Sequence, residues 1–89
     1  MVKHSAVLGR YFLERLRTIR SWDVKEIRGR GLWIGIELLH PARPYCEALR
    51  EEGVLCKETH DHVIRIAPPL TITAGEIDWA FDRIRKVLE

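Results

Sequence analysis

The 89-residue chain contains two cysteines, one methionine, four prolines and six glycines, and its charge of neither sign dominates: 15 basic against 13 acidic side chains leave a formal net charge of +2. Two cysteines, Cys46 and Cys56, are too few for the disulfide framework that small secreted domains use, so two free thiols in a reducing, cytoplasmic setting are expected. The weak basic excess, with Lys and Arg interleaved among Glu and Asp, excludes the one-sided positive face of a dedicated nucleic-acid binder. No apolar run reaches the roughly 18–20 residues a bilayer span needs, and the start Met1-Val2-Lys3-His4-Ser5 has no long apolar segment of a secretion signal. No partner of nucleic-acid or membrane type is therefore expected.

What is present is a folding composition. Apolar residues make up 46% and charged residues 31%, far from the low-hydrophobicity corner that disordered chains occupy. The length admits one domain, 1–89, which buries about 60–65% of the surface its unfolded chain exposes. Val2, Ala6, Leu8, Phe12, Leu16 and Ile19 recur at steps of two to four and predict a leading amphipathic helix over 1–20. Residues 24–72 read as strands with one helix. Val24–Arg28 is a short alternating strand, and Gly29-Arg30-Gly31 reads as a turn in which both glycines supply positive φ. In Leu32–Leu38, Leu32, Ile34, Ile36 and Leu38 alternate with Trp33, Gly35 and Glu37, the clearest strand pattern in the chain. Gly35, in its middle, invites close approach by another backbone or a ligand.

Pro44 suits the first turn of a helix with a Tyr45, Ala48, Leu49 stripe, and Gly53 suits its C-terminal cap. Val54-Leu55-Cys56 and Val63–Ala67 read as two further short strands around a polar turn. Thr73 and Glu76 have capping-box spacing before Ile77, Ala80, Phe81, Ile84, Val87 and Leu88, which predicts a terminal helix over 74–88. The order places this chain in the α+β class, a small, mostly antiparallel sheet with helices packed on one face.

Four places invite a chemical reading. Gly29-x-Gly31 resembles the start of a phosphate loop, but such a loop opens a helix and this one leads into a strand. Cys56, His60 and His62 put three potential zinc ligands within seven residues without a fourth at any recognisable spacing; His4 or His40 would have to be recruited by the fold. Lys57 is a Schiff-base candidate in type, but its neighbours Glu58 and Thr59 suggest a solvated turn rather than the desolvated pocket a reactive lysine requires. Arg65 lies between Ile64 and Ile66, so its side chain leaves the opposite face just before the rigid Pro68-Pro69, a good place for a bidentate carboxylate receptor. The plainer alternative is an arginine on a solvated face. Motifs alone compose no complete active site.

Two strings carry a family resemblance. VKEIRGRGLWIGIEL (Val24–Leu38) resembles the strand pair opening the C-terminal domain of class III pyridoxal-phosphate aminotransferases, and CKETHDHVIRIAPPL (Cys56–Leu70) resembles the K-x-T-H-x-x-x-I-R-x-A-P-P-L segment of that family's ornithine-type branch. Together with the leading helix, which holds Leu8-Gly9 and Phe12–Leu16, the resemblance covers nearly the whole chain. It implies the C-terminal small domain of a fold type I aminotransferase. The complete enzyme would move the δ-amino group of ornithine to 2-oxoglutarate, yielding glutamate semialdehyde and glutamate. It further implies that Arg65 faces the substrate, binding its carboxylate or pairing with a gating glutamate of a large domain that would be this chain's partner. The cofactor lysine, the aspartate on the pyridine nitrogen and most phosphate contacts belong to that large domain. The implied state is therefore a fragment with no catalytic residue of its own, which binds neither pyridoxal phosphate nor a metal by itself and self-associates through exposed apolar surface. The alternative is a non-enzymatic interaction module that keeps the fold.

Overall fold

The computed structural model describes residues 2–69 and 71–89, with side chains described from Ala6 onward. Expectations placed on Met1, on Leu70 and on the side chains of Val2 and His4 lie outside the described residues. The elements are α1 (Val2–Leu16), β1 (Val24–Arg30), β2 (Trp33–Leu38), α2 (Arg43–Glu51), β3 (Lys57–Thr59), β4 (Val63–Ile66) and α3 (Ala74–Leu88). The four strands form one antiparallel sheet in the order β1-β2-β4-β3.

Strand alternation decides which face is covered. Ile34, Ile36, Ile64 and Ile66 point to one side and are at most 4% exposed. There they join Phe12 and Leu16 of α1, Cys46 and Leu49 of α2, and Ile77, Phe81 and Ile84 of α3 in a continuous core. The expected α+β layer with helices on one face is what forms. The opposite face of the sheet, which no helix of the described residues covers, presents Glu26, Arg28, Trp33, Gly35, Glu37, Arg65 and Lys57.

Local chemistry explains most boundaries. The α3 capping box is complete: Thr73 Oγ1 accepts from the Glu76 amide at 3.2 Å, and Glu76 Oε1 accepts from the Thr73 amide at 2.9 Å. Pro44 stands in the first turn of α2. Four expectations need correction. The leading helix stops at Leu16 rather than Arg20, because the chain turns through Arg17-Thr18, with Thr18 Oγ1 donating to the Arg15 carbonyl at 2.6 Å. Ile19 still reaches the core from beyond the helix end.

Val54-Leu55-Cys56 is not a strand; it is the exit from α2. Gly53, with φ +92, donates to the Arg50 carbonyl at 3.0 Å and Val54 to the Leu49 carbonyl at 2.8 Å, the paired bonds of a Schellman cap. Val54 is apolar because it packs with Leu49 in the core, and the strand starts later, at Lys57. Gly29 is not in the turn either. It lies within β1, where a Cβ would come within 2.9 Å of Ile34 Cδ1, whereas Gly31 alone of the pair takes positive φ, +58, in the two-residue connection to β2. Finally, the α2 stripe includes the buried Cys46, with Tyr45 and Ala48 only half-buried.

Candidate functional site

Arg65 is placed by two neighbours on its own strand. Ile64 and Ile66 anchor β4 in the core, which forces the residue between them onto the open face, where it is exposed. The short β3–β4 hairpin turns through His60 (φ 49) and Asp61 (φ 63), residue types that tolerate the left-handed region. Two bonds tie this turn to the rest of the molecule: the Ala42 amide to the Asp61 carbonyl and the Leu38 amide to the His62 carbonyl, each 2.7 Å.

Strand register sets what surrounds the guanidinium. Arg28, Gly35, Arg65 and Lys57 lie in one row across the four strands. Arg28 is already engaged, donating to Glu37 at 2.8 Å and Glu26 at 3.0 Å, and Lys25 stands 3.6 Å from Glu37. The Arg28 hydrogen bond holds Glu37 below the usual carboxylate range, so that carboxylate is ionised and occupied. Among the described residues no carboxylate lies within ion-pair distance of Arg65, whose only aromatic neighbour is Trp33, with Cζ 5.7 Å from the ring centroid. A guanidinium left without a counter-charge on an open sheet face is chemically a receptor for an incoming carboxylate.

The remaining sequence candidates are not brought together. Lys57 lies on β3 beside Arg65 and is exposed. Cys56 Sγ is turned inward, 3.7 Å from the Cys46 carbonyl, away from the turn that holds His60 and His62, and no three metal-ligating groups converge among the described residues. Burial pushes the Cys46 thiol up to about 12, with Cys56 beside it adding to the effect, and burial raises Cys56 as well, so neither sulfur is a ready thiolate. The Gly29-x-Gly31 segment leads into β2, not into the helix that a phosphate loop opens.

Two features escaped the sequence. Asp23 is 1% exposed and accepts from Tyr45 Oη at 2.6 Å, with His40 Nδ1 2.8 Å away. It pins the start of β1 to the segment linking β2 with α2. The second is an apolar groove of about 600 Å3 between α1, α3 and the segment after β4, walled by Phe12, Val54, Leu55, Pro68, Pro69 and Trp79. It does not include Arg65. Leu55, 85% exposed, and Trp79, 44% exposed, stand at its edge.

The fold is one that solved aminotransferases contain. An ornithine aminotransferase from Plasmodium yoelii superimposes with TM-score 0.91 at 34% identity, over 97% of this chain and 24% of that one. An acetylornithine aminotransferase from Elizabethkingia anophelis does so with TM-score 0.92 at 30% identity and the same coverage. The chain belongs to the class III aminotransferase family, whose model matches residues 1–88. Among curated relatives, the ornithine aminotransferase of a Geobacillus strain is 62% identical over 85 residues, 96% of this chain and 21% of the relative. That of Bacillus subtilis is 57% identical over 88 residues, 99% and 22% respectively. The chain thus spans about a fifth of the length of these relatives.

Proposed function

We propose that these residues are the small-domain part of an ornithine-type aminotransferase, in which the parent enzyme transfers the δ-amino group of ornithine to 2-oxoglutarate. The observation that carries this reading is Arg65, exposed on β4 with no carboxylate to neutralise it, in a chain 57–62% identical to ornithine aminotransferases. Its role is to take the substrate carboxylate through two parallel N–H···O bonds, which orient the substrate as well as hold it. The large domain is its partner, and with Arg65 unoccupied a carboxylate of that domain can close the site.

Pyridoxal phosphate, when bound in the parent enzyme, supplies the electron sink for amino transfer. The residues described here do not fit it as a resident group. Lys25 and Lys86 are exposed and paired with Glu37 and Glu52, and Lys57 lies open on β3; none lines the apolar groove. Catalysis by these 89 residues alone is therefore not expected. The two free thiols support a cytoplasmic reading, and among the described residues no helix is long and apolar enough to cross a membrane.

A chimera tests the proposal. Replacing the matching segment of the Bacillus subtilis enzyme with this chain should preserve ornithine-dependent transamination, and R65A in that chimera should raise KM for the carboxylate substrate and lower kcat/KM. A chimera that folds and holds its cofactor yet does not use ornithine sinks the reading. The exposed Leu55 and Trp79 groove favours a second reading, an interaction module without enzymatic role; a chain that cannot replace the segment but captures itself or another protein through that groove would support it.

A further inference from the structure

Arginine side chains are long and lose much rotamer freedom when they bind, so a receptor arginine works best if something holds it beforehand. On this face the carboxylates cannot: Glu26 and Glu37 are both held by Arg28. Lys57, directly opposite Arg65 across β3 and β4, repels it. What remains is the indole of Trp33. Trp33 and Arg65 are not direct register partners; the residue opposite Arg65 on β2 is Gly35, and the missing side chain there is what lets ring and guanidinium meet. A Cβ on Gly35 would press to 3.3 Å from the outer edge of the indole. The Arg65 Cζ lies 5.7 Å from the ring centroid, within the roughly 6 Å over which a cation is attracted to an aromatic face.

We propose that Trp33 is a positioning residue for Arg65: its indole, seated over Gly35, carries the guanidinium and fixes where the N–H fork awaits a carboxylate. This rests on the reading of Arg65 as a carboxylate receptor and adds the group that orients it. Attraction through the ring leaves the in-plane donors of the guanidinium available, so the contact survives when a carboxylate is bound.

The test uses the 89-residue chain labelled with 15N, following the Arg65 Nε–Hε resonance, assigned by its loss in R65K, and glutarate as the carboxylate probe. In the unsubstituted chain the resonance should be displaced by the indole ring current; W33L should remove the displacement and W33F should keep part of it. G35A should also move the Arg65 resonance by shifting the ring, and keeps the test decisive if W33L does not fold. Glutarate should bind about two- to fivefold more weakly to W33L, with partial rescue in W33F. An Arg65 resonance unchanged in both W33L and G35A overturns the proposal, as does glutarate affinity unchanged when the displacement is lost. If glutarate fails to bind the unsubstituted chain while the resonance still depends on Trp33, the carboxylate reading falls and the contact stands.

Discussion

Asp23 is all but inaccessible to water, yet its carboxyl is held below the ordinary carboxylate range. Burial by itself pushes it up; the hydrogen bonds from Tyr45 and His40 and the charge on a protonated His40 together outweigh that push. A carboxyl lowered on folding contributes stability that is complete above the unfolded value near 4 and is lost as pH falls through the lower folded value. D23N should therefore cost about 2–3 kcal/mol at pH 7, by urea denaturation, and the gap from the unsubstituted chain should close as the pH is taken below about 4. A gap that stays constant with pH would show that shape, not charge, is what Asp23 supplies. Nothing in the sequence marks Asp23 as the one buried charge among the described residues, since both partners come from other segments. Arg65, by contrast, was legible, because the alternation of Ile64 and Ile66 around it decides its face.

At the level of elements, caps and alternation were readable because they depend on residues a few positions apart. Gly53, Thr73 and Glu76 did what their spacing predicts. The misreading of Val54–Cys56 has a particular cause: an apolar residue after a C-cap glycine serves the cap as well as a strand would use it, and only the bonds back to Arg50 and Leu49 distinguish the two. Gly9 shows the reverse case, a residue whose meaning is entirely a crossing. Ala is favoured over Gly in a helix by about 1 kcal/mol, which alone would make G9A stabilising. A Cβ on Gly9 falls on the Gly31 carbonyl, however, so α1 or the β1–β2 hairpin must move, and backbone cannot give way as a flexible side chain does. Overpacking of this kind costs about 1–3 kcal/mol. G9A should thus be destabilised by a net amount of up to about 2 kcal/mol in thermal or urea unfolding, and a variant more stable than the parent chain would mean the crossing is loose.

For the whole molecule, the groove beside Leu55 and Trp79 is an apolar opening that does not include Arg65. A face of this character tends to be reburied, so the isolated chain should self-associate as concentration rises, and L55S should shift that association to higher concentration. Light scattering checks this; a monodisperse monomer at high concentration goes against it.

By itself the sequence determined the element order, the caps, the covered face of the sheet and the exposure of Arg65, because each follows from side chains spaced two to four residues apart. It also held the two strings through which family membership could be read. Only the tertiary structure decided that Asp23 is buried against His40 and Tyr45, that Gly9 meets Gly31, and that Trp33 comes to Arg65 across Gly35. Those contacts depend on strand register and helix crossing, which the packing of the whole core sets and no local spacing encodes.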